Sequence, residues 1–230
     1  MADRSLIRMS GAGGVAAGLL LLIFNALHPR QAPAELGDTV ALLDDVVGFP
    51  SWTLIHVGIL VGVVLLLPLF WAVSRLAHGS ETEGWARLAW GSAVTGITIT
   101  LVWAAVDGVG LAGAAEAWAN GGGGRDSAAF ASADALFRVG NSLFALWQFM
   151  LVGCTALLYA VAIRGVGGLS SWLSPLAMVA GALGLVAGLI QMFSGFTVLG
   201  FLVLFSTASL LITVWAIAVG WALWRRPTPG

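Results

Sequence analysis

The side chains able to do chemistry are few, and they stand inside apolar runs. Asp107 is the one acid within a long hydrophobic stretch, and His56, Asn25, Asn141, Gln148 and Gln191 are the polar residues that accompany it. On a helix, Gly96, Thr100, Trp103 and Asp107 follow at spacings of four, three and four and so share one stripe. Asn141, Ala145, Gln148, Val152, Thr155 and Tyr159 form a second stripe. A carboxylate beside an imidazole orients the ring and favours its charged form, so Asp107 with His56 predicts a proton-handling pair. The candidate ligand-binding or proton-handling residues are Asp107, His56, Gln148, Asn141, Asn25, Gln191 and Trp103. The plainer role for the four amides is interhelical hydrogen bonding. His28 and His56 raise a separate chemistry, two imidazoles ligating one b-type haem iron. Apart from that alternative no cofactor is expected, and a lone cysteine, Cys154, gives no thiolate metal site.

Signatures of catalysis are missing. The sequence holds no Gly-x-Ser-x-Gly, no His-Glu-x-x-His and no Walker loop. Gly121 to Gly124 has no Lys after it and no strand before it, so it reads as a link and not as a phosphate cradle. No catalytic residue is assigned, and a non-enzyme is expected.

The elements that must position these residues follow from composition. The chain has 230 residues, of which 59% are hydrophobic and only 9% charged, against about 25% charged in a soluble domain. Mean hydropathy is +0.97. A water-soluble globule is excluded, and a net charge of -1 leaves no basic face for nucleic acid. A spanning helix needs about 20 apolar residues. Six stretches qualify, at 8–27, 51–74, 86–112, 138–163, 172–193 and 197–224, within one transmembrane domain over 1–230. The predicted fold is all-α: a polytopic membrane bundle of six transmembrane helices, with both termini cytoplasmic. That orientation puts Arg4, Arg8, Arg75, Arg87, Arg164, Arg225 and Arg226 inside and Arg30, Arg125 and Arg138 outside, seven against three. Trp71, Trp85, Trp172, Trp221 and Trp224 then form an inner aromatic belt, and Trp52 with Trp118 mark the outer surface. Residues 1–34 also permit a signal-peptide reading, with Ala32-Pro33-Ala34 as the small-residue site.

Two short amphipathic helices are expected in the outer loops. Leu36, Val40, Leu43 and Val47 fall at helical spacing among Glu35, Asp38, Asp44 and Asp45, which predicts a helix lying on the membrane surface. Asp126-Ser127 caps a second, with Phe130, Ala133 and Phe137 on one side. Asp38-Thr39 precedes Trp71-Ala72-Val73 by the interval that separates Asp126-Ser127 from Tyr159-Ala160-Val161, as an internal repeat of span, surface helix and span would require. Pro68 should kink the second span. Gly14 with Gly18, Gly58 with Gly62, and Gly184 with Gly188 are small-residue pairs for close helix packing.

Depth is the remaining signal. At 1.5 Å per residue, Asn25, His56, Asp107, Asn141 and Gln191 lie roughly 5 to 8 Å below the outer ends of their spans. The inner half has almost nothing comparable, so a polar funnel open outward and closed inward is expected.

Leu136-Phe137-Arg138-Val139-Gly140, Leu157-Leu158-Tyr159 and the closing Trp221-Ala222-Leu223-Trp224-Arg225 give the chain a family likeness over residues 126–226. It resembles bacterial six-span integral membrane proteins grouped as a domain of unknown function. Their Pro-Arg-Trp-Leu-like entry to the fifth span is here Ser171-Trp172-Leu173-Ser174-Pro175. The resemblance implies a multi-pass protein of the bacterial inner membrane and brings no activity. The expected function is a membrane protein whose outward-facing polar pocket binds, and passes, a small molecule or a proton. The alternatives are a non-catalytic accessory or sensory subunit of a membrane complex and the haem protein. Expected partners are the lipid bilayer, a small-molecule ligand, and a second copy or membrane partner subunit.

Overall fold

The computed structural model describes residues 2–29 and 32–226. Seven helices carry the fold: α1 Ala2–Leu27, α2 Thr39–Gly48, α3 Trp52–Leu76, α4 Glu83–Asn120, α5 Ala128–Gly165, α6 Leu173–Ser194 and α7 Val198–Trp224. All but α2 are long and apolar enough to cross a membrane, which makes this a multi-pass, six-span bundle. No strand occurs among the described residues. Arg30, counted above with the outer arginines, lies outside them.

The six spans close into a ring. Each packs on the next, and α7 returns to α1, where Arg8 Nε donates to the Trp224 carbonyl at 3.2 Å. The small-residue pairs serve this packing within the chain. A Cβ on Gly188 would meet the Phe149 backbone nitrogen at 2.8 Å, and one on Gly184 would meet Val152 Cγ1 at 2.7 Å. Such contact lets α6 lie directly on α5. Pro68 lacks the N–H that would bond to the Val64 carbonyl, and α3 breaks at Leu65, between segments ending at Val64 and starting at Leu66.

One end of the ring is sealed. Tyr159 is fully buried and stacks on Phe70 at 4.9 Å. Its hydroxyl donates to the Phe70 carbonyl at 2.9 Å and meets Ser74 Oγ at 2.8 Å, tying α5 to α3. Ser92 Oγ lies 2.9 Å from Thr155 Oγ1, which ties α4 to α5. This half is therefore knitted by small hydroxyls as well as by apolar contact. Both described chain ends lie on this side, as do Trp85, Trp172, Trp221 and Trp224, exposed as an interfacial belt requires.

The other end differs from expectation. At 1.5 Å per residue α4 and α5 are each roughly 57 Å long, about twice a hydrocarbon core of 30 Å. The third span thus runs on to Asn120. The second surface helix does not exist as a separate element, because the helix capped by Ser127 continues without a break into the fourth span. The repeat is matched at its capped starts but not in its path. Pro50 lies in the break that separates α2 from α3, and the second unit has no such break.

α2 also departs from its predicted role. Asp38 caps it by accepting from Val40 N at 2.8 Å. The buried face is Thr39, Leu42, Leu43 and Val46, while Val47 is exposed, so the apolar stripe is rotated by about a residue from the sequence-based register. That face meets protein and not lipid. Leu42, Leu43 and Val46 share a small core with Trp52, Leu111, Ala115, Trp118, Ala133 and Phe137. Trp52 and Trp118 are accordingly buried in it and do not form an aromatic belt. The projecting ends of α4 and α5 provide the protein surface that α2 covers.

Close packing of α6 on α5 predicts that Gly188→Ala lowers stability by about 1–3 kcal/mol through overpacking. Gly91→Ala, where a Cβ meets nothing within 4 Å, should be neutral or gain about 0.5–1 kcal/mol. Thermal unfolding in detergent separates the two.

Candidate functional site

A cavity of about 120 Å³ opens at the α2 end of the ring. Asn25 and His28 of the α1 end, Asp45 of α2, Trp52 of α3, Trp103 and Asp107 of α4, Asn141 and Trp147 of α5, and Phe201 and Phe205 of α7 contribute to its lining. It is smaller than the roughly 300–1,000 Å³ of sites for drug-sized ligands. It has room only for a small molecule.

Local helix geometry places the carboxylate. α4 loosens into a π-helical segment over Ala104–Gly110, and Asp107 lies within it. Widening the helix changes the regular carbonyl ladder, and two side chains of α3 take up the carbonyls there. Trp52 Nε1 donates to the Asp107 carbonyl at 2.9 Å, and Thr53 Oγ1 donates to that of Gly108 at 2.8 Å. Gly108 itself permits the approach, since a Cβ there would come within 2.5 Å of His56 Cβ. Two further π segments, Gln148–Thr155 and Val198–Phe205, adjoin the cavity and carry Phe201 and Phe205 into its wall.

His56 and Asp107 meet. His56 Nε2 lies 2.8 Å from Asp107 Oδ2, with the imidazole 1% and the carboxylate 15% exposed. The approach is within ion-pair distance but is not aligned as a hydrogen bond. His56 Nδ1 lies 2.9 Å from the Trp52 carbonyl, which can only accept, so the Nδ1 proton is fixed there. With the Nδ1 proton on the Trp52 carbonyl, Nε2 and Oδ2 would repel at this distance if both were bare acceptors. The imidazole is packed against Trp52 at 4.7 Å, His28 at 5.0 Å and Trp103 at 5.2 Å between ring centroids.

The remaining candidates form a second group. Gln148 Nε2 donates to Gln191 Oε1 at 2.7 Å, and Gln191 Nε2 donates to Asn141 Oδ1, a chain that joins α5 to α6. Gln148 and Gln191 are thus structural, and of this chain only Asn141 reaches the cavity wall. Asn25 Nδ2 donates back to the Leu21 carbonyl at 2.7 Å, and Asn25 lines the cavity. Trp103 is buried on its wall, stacked on Trp147 at 5.2 Å. Of the seven residues singled out in the sequence, Asn25, Trp103, Asp107 and Asn141 line the cavity, His56 meets Asp107, and Gln148 and Gln191 connect to Asn141 behind the wall.

His28 and His56 are not arranged as haem ligands. Both nitrogens of His56 face protein atoms, and ring centroids 5.0 Å apart leave no room for an iron and its porphyrin between the imidazoles.

What the sequence did not single out is the aromatic wall. Trp147, Phe144, Phe196, Phe201 and Phe205 are ordinary apolar residues in a membrane span, and only the third dimension brings them together. Phe144 packs edge-on to Phe205 at 4.9 Å and to Trp147 at 5.0 Å. Trp147 Nε1 is buried on that wall without a hydrogen-bond partner. Asp45 was read only as part of the polar face of α2. Burial, and after it the charges of Glu35 and Asp44, push its carboxyl above the ordinary range. The folded state therefore holds the Asp45 proton more tightly than the unfolded chain does. That contribution to stability is present in acid and is lost as pH rises through the carboxyl's titration.

α2 is held over this end from outside the cavity. Thr39 Oγ1 donates to Asp134 Oδ1 at 2.5 Å, and Arg125 approaches Asp38 at 3.5 Å. No protein-family model matches the chain, and neither a curated protein nor a solved structure does.

Gln191→Leu should leave Gln148 and Asn141 unpaired and cost about 1–2 kcal/mol, and the double variant with Gln148→Leu should recover part of that in thermal unfolding. Gly108→Ala should push His56 from Asp107, lowering the melting temperature and shifting the His56 ring resonances in NMR of histidine-labelled protein.

Proposed function

We propose that this protein binds a small molecule in the α2-end cavity and couples its occupancy to the proton held by His56 and Asp107. The observation that carries the reading is the 2.8 Å contact of a buried imidazole with the Asp107 carboxylate on the wall of a cavity. An ionisable group within a membrane span is costly and defaults to a functional role. Sharing a proton removes that cost without removing the chemistry. The orphaned donor Trp147 Nε1 supports a ligand at the same wall, because buried polar atoms are normally satisfied.

The arginine distribution supports both termini in the cytoplasm of a bacterial inner membrane. Among the described residues, Arg125 and Arg138 lie at the cavity end, and the remaining arginines at the sealed end. The cavity then faces outward. Passage of its occupant to the cytoplasm requires Tyr159 and Phe70 to part, because these close the far end. The accessory-subunit alternative has the outer helices meet a partner, and the apolar face of α2 is here turned to α4 and α5.

Trp52 and Trp103 lie within 5.2 Å of the imidazole, so their emission should report its charge. Wild-type protein in nanodiscs is expected to show a pH-dependent change in tryptophan emission that Asp107→Asn and His56→Gln both flatten, with far-UV circular dichroism unchanged. Identical titrations in wild type and variants would sink the proton-linked reading.

A further inference from the structure

We infer that the occupant is a small organic cation of the amine or quaternary ammonium class, and that it enters in exchange for the proton held between His56 and Asp107. The inference deepens the reading above and rests on it. Three features of the cavity select charge, surface and size together.

Charge comes first. The ionisable side chains that line the cavity are Asp107, Asp45 and His28. Asp107 is neutralised only by the proton it holds with His56, Asp45 repels an anion, and no arginine occurs among the described lining residues to offset them. Asp45 brings an excess of negative charge to the mouth, with Glu35 and Asp44 close enough to disfavour its ionisation. A cation relieves that repulsion. A neutral ligand does not.

The wall decides what kind of cation. A metal ion needs several oxygen or nitrogen ligands, and no cluster of three His, Cys, Asp or Glu suited to one occurs among the described residues. The cavity instead presents Trp52, Trp103, Trp147, Phe144, Phe201 and Phe205. Aromatic faces carry negative quadrupole potential and attract weakly hydrated organic cations, the more so when water is excluded. Trp is the best of these faces, and three of the six are Trp. A cavity of about 120 Å³ suits a head group of a few carbons around one nitrogen.

Proton balance supplies the coupling. With Nδ1–H committed to the Trp52 carbonyl, the His56 and Asp107 side chains hold one further proton and are together neutral. When a cation arrives beside Asp107, its charge replaces that of the proton. The Nε2/Oδ2 proton leaves through the open mouth to bulk water, Asp107 remains as the carboxylate, and His56 remains neutral with Nδ1–H still donating; the positive charge of the cation offsets the repulsion between the bare Nε2 and the carboxylate. One positive charge enters and one leaves, so the net charge of the buried site is conserved. No bond other than the N–H or O–H bond breaks, and no redox partner is needed. Asp107 Oδ1 adjoins Gly140, where a Cβ would lie in van der Waals contact at 3.4 Å.

The test uses full-length protein in a maltoside detergent, which carries no ammonium head group. The probes are choline, its uncharged isostere 3,3-dimethylbutan-1-ol, and acetate. Binding is read by tryptophan emission and proton release by a pH dye in weak buffer. Choline should bind with release of about one proton per site, and tighten roughly ten-fold per pH unit while the pair remains protonated. The alcohol should bind roughly ten-fold more weakly or worse. Asp107→Asn should abolish proton release, and Trp103→Leu should weaken choline more than Trp103→Phe does. Equal binding of alcohol and choline without proton release would overturn the cation assignment and leave a small-molecule pocket. So would tighter binding of acetate. If no probe binds while wild-type emission still titrates with Asp107, the cation assignment alone fails. If that titration is also absent, both readings fail together.

Discussion

The structure at the cavity depends on one constraint: inside a bilayer, a polar group must find its partner within the protein. The π-helical segment of α4 departs from the regular carbonyl ladder, and α3 answers with Trp52 Nε1 and Thr53 Oγ1. These bonds fix α3 against α4 at the height where His56 reaches Asp107. The Trp52 residue that donates its indole N–H to the Asp107 carbonyl also accepts, through its own carbonyl, the Nδ1 proton of His56. Backbone irregularity, helix contact and imidazole tautomer are therefore settled by the same few atoms.

A division of labour among polar residues follows. Amide side chains can donate and accept at once, so Gln148, Gln191 and Asn141 bond in a row and hold α5 to α6 without a net charge, with Gln148 Oε1 left unpaired at the end of the row. Asp107 and His56 cannot do that without a proton between them, because the carboxylate only accepts and Nδ1 has spent its donor on Trp52. The first group stabilises the ring. The second places an imidazole against a carboxylate at the cavity wall, where a carboxylate and a bare ring nitrogen leave donors and acceptors unbalanced.

Much of this was legible from sequence, for reasons that differ by element. The six spans follow from length and hydropathy, and the stripe Gly96, Thr100, Trp103 and Asp107 from the 3.6-residue period, which is why their inward facing is correct. The meeting of His56 with Asp107 follows from matched depth on helices joined by a short loop. The aromatic wall was hidden, because Phe and Trp are expected everywhere in a membrane span and only an excess at one place is informative. α2 was visible as a helix through Asp38 and its apolar period, but its partner was not. Nothing in residues 83–120 or 128–165 announces that these helices outrun the bilayer, since their projecting ends are alanine-rich and bear few charges. An apolar face beside such ends docks on protein and not on lipid, which rotates its buried stripe towards Leu42 and Val46.

The projecting ends also explain why the cavity is on this side. Where α4 and α5 extend beyond the other spans, α1 has ended at Leu27 and α6 gives way at Gly195, whose φ of 69° reverses the chain towards α7. Helices that stop at different heights cannot fill the space between their ends with regular packing. Rings from the flanking segments, Trp52 after the α2 turn and Phe196 after Gly195, enclose that space from the sides. At the opposite end Tyr159, Phe70 and Trp215 are buried in the interior between the spans. The open end is therefore a consequence of unequal helix length, and His56 meets Asp107 where that inequality leaves a cavity.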